Sequence, residues 1–134
     1  VSSETMSVEE FKRARGEFIP AKAAKVRPRH EPGVMNKTEK RMDYELDLLK
    51  RAGKIRWYGF ETHKLKLAKK TWFNIDFWIE WADGTTEARD VKGSGPMEED
   101  ARIKIKVAAE KFRQYRFTIW RAMKNDWQEE IIKP

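Results

Sequence analysis

Cysteine is missing from this chain, and histidine occurs only at His30 and His63. The first absence excludes disulfide scaffolds, thiolate zinc sites and cysteine nucleophiles; the second excludes a histidine-rich metal centre. No run approaches the ~20 apolar residues of a membrane-spanning helix. No apolar stretch follows the basic N-terminus, so a signal peptide is not expected either. Charge and aromatic rings, by contrast, are plentiful. The 134 residues carry 29 lysines and arginines against 22 acids, a net charge of +7, with charged residues at 38%. Six tryptophans and seven phenylalanines argue for a packed domain over a disordered one. The length fits one domain, which buries roughly two-thirds of its unfolded surface. A basic surface on such a chain suggests a polyanionic partner, most often nucleic acid.

Residues 1–35 differ from the rest. They hold three of the five prolines, Pro20, Pro28 and Pro32, and lack sustained periodicity apart from a short candidate helix, Val8–Arg15. Lys22, Lys25, Arg27 and Arg29 fall in a stretch without an acid. This segment is expected to be a flexible basic arm, either a solvated tail or one whose Arg27 and Arg29 touch phosphates or that exchanges between subunits.

A folded domain is expected over residues 36–134. Asn36-Lys37-Thr38-Glu39 has the spacing of a capping box. Over Lys37–Ala52, Met42, Leu46 and Leu49 share one helical face, widened by Tyr44 and Leu48, and Gly53 supplies the stop. Strand character follows at Ile55–Phe60, Thr62–Ala68, Trp72–Trp81 and Thr85–Lys92. A second helix is expected over Met97–Phe112, with Ala101, Ile105, Ala108 and Phe112 inward. Tyr115–Trp120 reads as a strand, and Trp127–Ile132 as a short strand or docked tail. The order predicts an α/β fold with a mixed central sheet flanked by helices.

Ala82-Asp83-Gly84 decides how two of these strands meet. A two-residue loop would send Asp76 and Asp90 to opposite faces of the sheet. A three-residue loop, a type I turn with Gly84 in the left-handed position, pairs Trp81 with Thr85 and sets Asp76 opposite Asp90. Lys92 then shares their face one pleat along. The hydrophobic pattern favours the second register: Ile75, Phe77, Ile79, Trp81 and Val91 form one apolar face, and Asn74, Asp76, Trp78, Glu80, Thr86, Ala88, Asp90 and Lys92 form the other. Glu87 and Arg89 fall on the apolar side, against the pattern, where they either sit near the sheet end or pair with each other.

Carboxylates directly across a ladder stand ~5 Å apart at Cβ. They repel unless a cation lies between them or a proton is shared. An all-oxygen set suits Mg²⁺ or Mn²⁺, and a nearby lysine can hold a water or stabilise a developing phosphate charge. The plainer reading of the same residues is a solvated cross-strand ion pair. Glu39 has two readings as well, metal ligand or simple helix cap.

Phe73-Asn74-Ile75-Asp76-Phe77, Asp83-Gly84 and Asp90-Val91-Lys92-Gly93 together resemble the PD-(D/E)XK nuclease superfamily. The likeness covers residues 36–121 or so and is greatest to small phage endonucleases, the phage-type endonuclease I Holliday-junction resolvases among them. The helix bearing Glu39 and the charged helix Glu98–Lys106 occupy the corresponding places. The resemblance implies a restriction-endonuclease-like core in the order α-β-β-β-α-β. Asp76 would be the central metal ligand, Asp90 the second carboxylate, Lys92 the catalytic lysine and Glu39 the helix acid at the metal. Two positions depart from the pattern: Ile75 stands where proline is usual, and Asp90 where glutamate is commoner. The implied cofactor is Mg²⁺, with Mn²⁺ as a substitute. The implied protein is a phage-encoded, cytoplasmic homodimer acting on branched or four-way DNA.

Arg102, Lys104 and Lys106 lie on the second helix at spacings that can hold phosphates beside such a site. Trp78, on the acidic face, is a candidate for stacking on a base or sugar, whereas His63 reads as a strand-surface residue, and Glu61 and Glu80 are left outside the site. The expected activity is metal-dependent, structure-selective endonucleolytic hydrolysis of DNA. The alternatives are a nicking or end-processing nuclease of the same fold and a non-catalytic DNA-binding module.

Overall fold

The computed structural model describes residues 31–134. The expected helix Val8–Arg15 and the basic residues Arg27 and Arg29 lie outside them. The chain divides between Glu31 and Pro32, and the fold that follows is that of the second unit.

Helix α1, Lys37–Arg51, begins with the expected capping box: Glu39 N–H donates to Asn36 Oδ1 at 2.8 Å, and Asn36 N–H donates to Glu39 Oε1 at 2.9 Å. Gly53, at φ +80°, ends it in the left-handed conformation that glycine takes most cheaply. Then come β1 (Ile55–Phe60), β2 (Lys64–Ala68), β3 (Thr71–Asn74), β4 (Phe77–Trp81) and β5 (Thr86–Lys92). Helix α2 (Glu99–Lys111) crosses to β6 (Arg116–Ala122), and β7 (Trp127–Ile132) completes the chain.

The main sheet has five strands in the order β1-β4-β5-β6-β7. It is mixed: β5 and β6 run parallel across the α2 crossover, and the other neighbours are antiparallel. Strands β2 and β3 form a separate hairpin. The single strand expected over Trp72–Trp81 is therefore two, interrupted at Ile75-Asp76. Trp127–Ile132 is a full strand and not a tail. No helix among the described residues is long and apolar enough to cross a membrane.

Alternate residues of β4 and β5 bury against opposite layers. Phe77, Ile79 and Val91 pack with Met42, Leu46 and Ile55 under α1. Trp78 and Ala88 pack with Ile105, Ala108, Phe117 and Ile119 under α2. The face expected to be polar is thus a second core for most of its length. Ile75 belongs to that α2 layer and not to the Phe77 face, because the chain bends between the strands. Tyr44 and Leu48 are exposed and do not widen the buried stripe of α1.

Inside the α1 layer lies a buried ionic network. Glu87 accepts from Arg89 at 2.8 and 3.2 Å, and also from Trp81 Nε1, Arg116 and Thr118 Oγ1. Arg89 stacks over Trp120, 3.9 Å from the ring centroid. The two charges on the apolar side do pair with each other. Burial raises the Glu87 pKa, but the bonds from Arg89, Thr118 and Arg116 outweigh it and hold the carboxyl at about 2.

Candidate functional site

The turn between β4 and β5 fixes where the acids go. Trp81 N–H donates to Thr85 O at 2.9 Å and Gly84 N–H to Trp81 O at 3.0 Å, with Gly84 at φ +92°. Asp83 Oδ1 accepts from the backbone and hydroxyl of Thr85 at 2.9 and 2.7 Å, which locks the turn. This is the three-residue loop. The ladder above it pairs Glu80 with Thr86 and Phe77 with Arg89. One further step in that register sets Asp76 opposite Asp90.

The two carboxyls meet at the bend before β4. Val91 N–H donates to Asp76 Oδ2 at 2.9 Å. Burial, then the charge of Asp90 and a hydrogen bond to it, push the Asp76 pKa up to about 9, against the Val91 amide and Lys92. Lys92 Nζ lies 3.3 Å from Asp90 Oδ2 as an ion-pair partner. That oxygen is buried and has no aligned hydrogen-bond donor. Burial works against the Lys92 charge, yet Asp90 and Asp76 outweigh it and hold the ammonium above its ordinary range.

Asp76 also faces a second group. Carboxylate oxygens of Glu39, Glu61 and Asp76 all lie within 4.8 Å of one another. Glu39 is buried, 6% exposed, at the start of α1. Its capping bond occupies one oxygen, and a carboxylate accepts at several lone pairs, so capping and coordination are compatible. Glu61 stands just after β1 at φ +54°, a conformation that costs a residue with a side chain. Its N–H donates to Asp76 O at 2.8 Å, and its Oε1 accepts from Gly33 N–H at 2.8 Å. A strained backbone here aims a carboxylate at Asp76.

Asp76 is therefore shared between two groupings, Asp90 with Lys92 and Glu39 with Glu61. The donor set fits a hard divalent cation: convergent oxygens of Glu39, Glu61 and Asp76, and a carboxyl that holds a proton when no cation neutralises it.

The structure thus brings together Glu39, Asp76, Asp90 and Lys92. Glu61, left outside the site on sequence grounds, lies within the cluster, and the sequence carries a signal for it. It is the only acid between Asp47 and Asp76, in a stretch otherwise basic and aromatic.

Other expectations meet different outcomes. Trp78 is only 6% exposed, stacked by His63 at 4.1 Å and met edge-on by Tyr115, so it cannot stack on a base. His63 is exposed and lies outside the acidic cluster. Arg102 forms a two-pronged ion pair with Glu130 at 2.8 and 2.9 Å, which engages its fork, whereas Lys104 and Lys106 are exposed. Compared with family models, with curated proteins and with solved structures, the chain matches none.

Proposed function

We propose that this protein is a metal-dependent DNA endonuclease with a restriction-endonuclease-like core, selective for branched DNA such as a four-way junction. The observation that carries the reading is Asp76. It lies one step beyond the β4–β5 ladder, hydrogen-bonded to Asp90, with carboxylate oxygens of Glu39 and Glu61 within 4.8 Å, and Lys92 pairs with Asp90 one pleat along. A solvated ion pair, the plainer reading, does not require Glu39 and Glu61 to converge on a half-buried Asp76 that is also hydrogen-bonded to Asp90. Mg²⁺ or Mn²⁺ held by Asp76 and Asp90, with Glu39 and Glu61 on the second flank, would polarise a phosphodiester and supply an activated water.

The chain's own residues have separate tasks. Asp76 orients the cluster, because Val91 N–H fixes one oxygen and leaves the rest of the carboxylate to face the other acids. Lys92 carries its proton at neutral pH, so it serves as a cation beside the phosphoryl oxygens and not as a base. Lys104 and Lys106 on α2 contact flanking phosphates. Nothing in the chain resembles a base-reading module, which favours recognition of DNA shape. A homodimer with two such sites would nick opposing strands in pairs.

The test is cleavage of a labelled four-way junction, a flap, a nicked duplex and a linear duplex with Mg²⁺ or Mn²⁺. The expected result is metal-dependent nicking strongest on the junction and lost in Asp76→Asn. Cleavage surviving in that variant, or none on any substrate with either metal, overturns the reading. Preference for the flap or nicked duplex would instead mark an end-processing enzyme.

A further inference from the structure

The β2–β3 hairpin has two unlike faces. Leu65, Leu67 and Phe73 turn inward against the α2 layer. The opposite face carries Lys64, Lys66 and Trp72, all exposed. Lys66 lies directly across the ladder from Trp72, and Lys64 is diagonal to it. Both ammonium groups lie over the indole, at 4.6 Å for Lys64 and 5.9 Å for Lys66 from the ring centroid. The tip adds Lys69 and Lys70, with Lys70 at φ +59°, a position that glycine or asparagine would occupy with less strain. From Thr62 to Ile75 there are four lysines and no acid. None of the four makes an ion pair among the described residues.

The ends of this hairpin run into the acidic cluster. Glu61 stands three residues before β2, and Asp76 two residues after β3. Ile75 N–H donates to His63 O at 3.2 Å and ties the two ends together. Both ends of the hairpin are thus joined to residues of the acidic cluster.

We infer that this face is a stacking platform for an unpaired nucleotide of single-stranded DNA, with Trp72 under the base and Lys64 and Lys66 on the flanking phosphates; the assignment to DNA rests on the nuclease reading above. Bases within a duplex are already stacked and cannot use an indole face, whereas an unstacked base can. A phosphate draws the ammonium groups off the ring and frees its face for the base. The platform takes the role first expected of Trp78, which is buried. A segment opened at a branch point would be gripped on one side of the metal site by the hairpin.

The probe is a fluorescein-labelled twenty-residue thymidine oligonucleotide, with a blunt duplex and the matching uridine RNA as comparisons. Binding to the full chain is followed by anisotropy in EDTA. Trp72→Ala is expected to weaken thymidine binding about five- to a hundredfold and to affect the duplex much less. Trp72→Phe should lose less than Trp72→Ala. The double variant Lys64→Ala/Lys66→Ala should lower the slope of log affinity against log salt by about 1.4.

Thymidine binding within twofold of wild type in a folded Trp72→Ala overturns the platform, as does equal loss on the blunt duplex. Tighter binding of the RNA overturns the assignment to DNA. If Trp72→Ala does not fold, the lysine pair decides: an unchanged salt slope overturns the proposal and the expected drop supports it. Loss of cleavage in Asp76→Asn with no effect at Trp72 leaves the nuclease standing and the platform refuted. The converse pattern, Trp72-dependent binding with no metal-dependent cleavage, keeps the platform and removes the nuclease.

Discussion

Replacing Asp76 with asparagine should stabilise the metal-free protein while abolishing the proposed cleavage. In the fold the Asp76 pKa is raised from 3.8 to about 9, chiefly by burial and by Asp90. A carboxyl whose folded pKa lies above its unfolded value favours the native state fully at pH below 3.8. That contribution is lost progressively as pH rises toward 9. At pH 7 the pH has moved about three units above 3.8, each worth ~1.4 kcal/mol, for a deficit of about 4 kcal/mol. Asparagine never ionises in the unfolded chain, so it escapes this deficit. Its carbonyl still accepts from Val91 N–H, and its amide can donate to Asp90. Urea unfolding in EDTA at pH 5 and pH 8 measures the effect. Wild type should lose stability between the two, and Asp76→Asn should lose several-fold less and be the more stable at pH 8. Added Mg²⁺ should stabilise wild type and leave the variant unmoved. A variant less stable than wild type at pH 8, with the same pH dependence, refutes the account of Asp76 as a crowded, cation-seeking acid.

Three further outcomes follow from the same structure. Glu87→Gln strands Arg89 in the α1 layer and should cost about 3–5 kcal/mol in urea unfolding. Because the Glu87 pKa is held at about 2, below its ordinary 4.5, wild type should lose this contribution as pH falls between those values, and the variant should not. Asn36→Ala removes the cap of α1 and should cost about 1 kcal/mol, read as a lower thermal midpoint. Glu61→Gln should weaken Mn²⁺ binding on the order of tenfold in calorimetry, with the fold retained by circular dichroism.

Local chemistry made much of the architecture readable. Asn36 and Glu39 announce α1 because their reciprocal bonds involve residues only three apart. Asp83-Gly84 sets the β4–β5 register because few turn geometries fit it, and that register brings Asp76 to Asp90. Nonlocal effects were not readable in this way. Covered by helices on both sides, the central strands carry apolar residues on both faces, so alternation misplaced Trp78 as a surface residue. The bend at Ile75-Asp76 splits an unbroken apolar run and turns Ile75 to the other layer. Glu61 lies on a strained connection with no periodicity to mark it. Its meeting with Glu39 and Asp76 depends on how α1 packs over the sheet. Trp72 is one strand aromatic among several in the sequence, and its exposure follows from the β2–β3 hairpin standing apart from the main sheet.

The most direct measurement is a calorimetric titration of Mn²⁺ into the full chain and into Asp76→Asn at pH 7.5. Saturable binding to wild type that disappears in the variant is the predicted result. No saturable binding to wild type, or equal binding by both proteins, would contradict a metal centre built around Asp76.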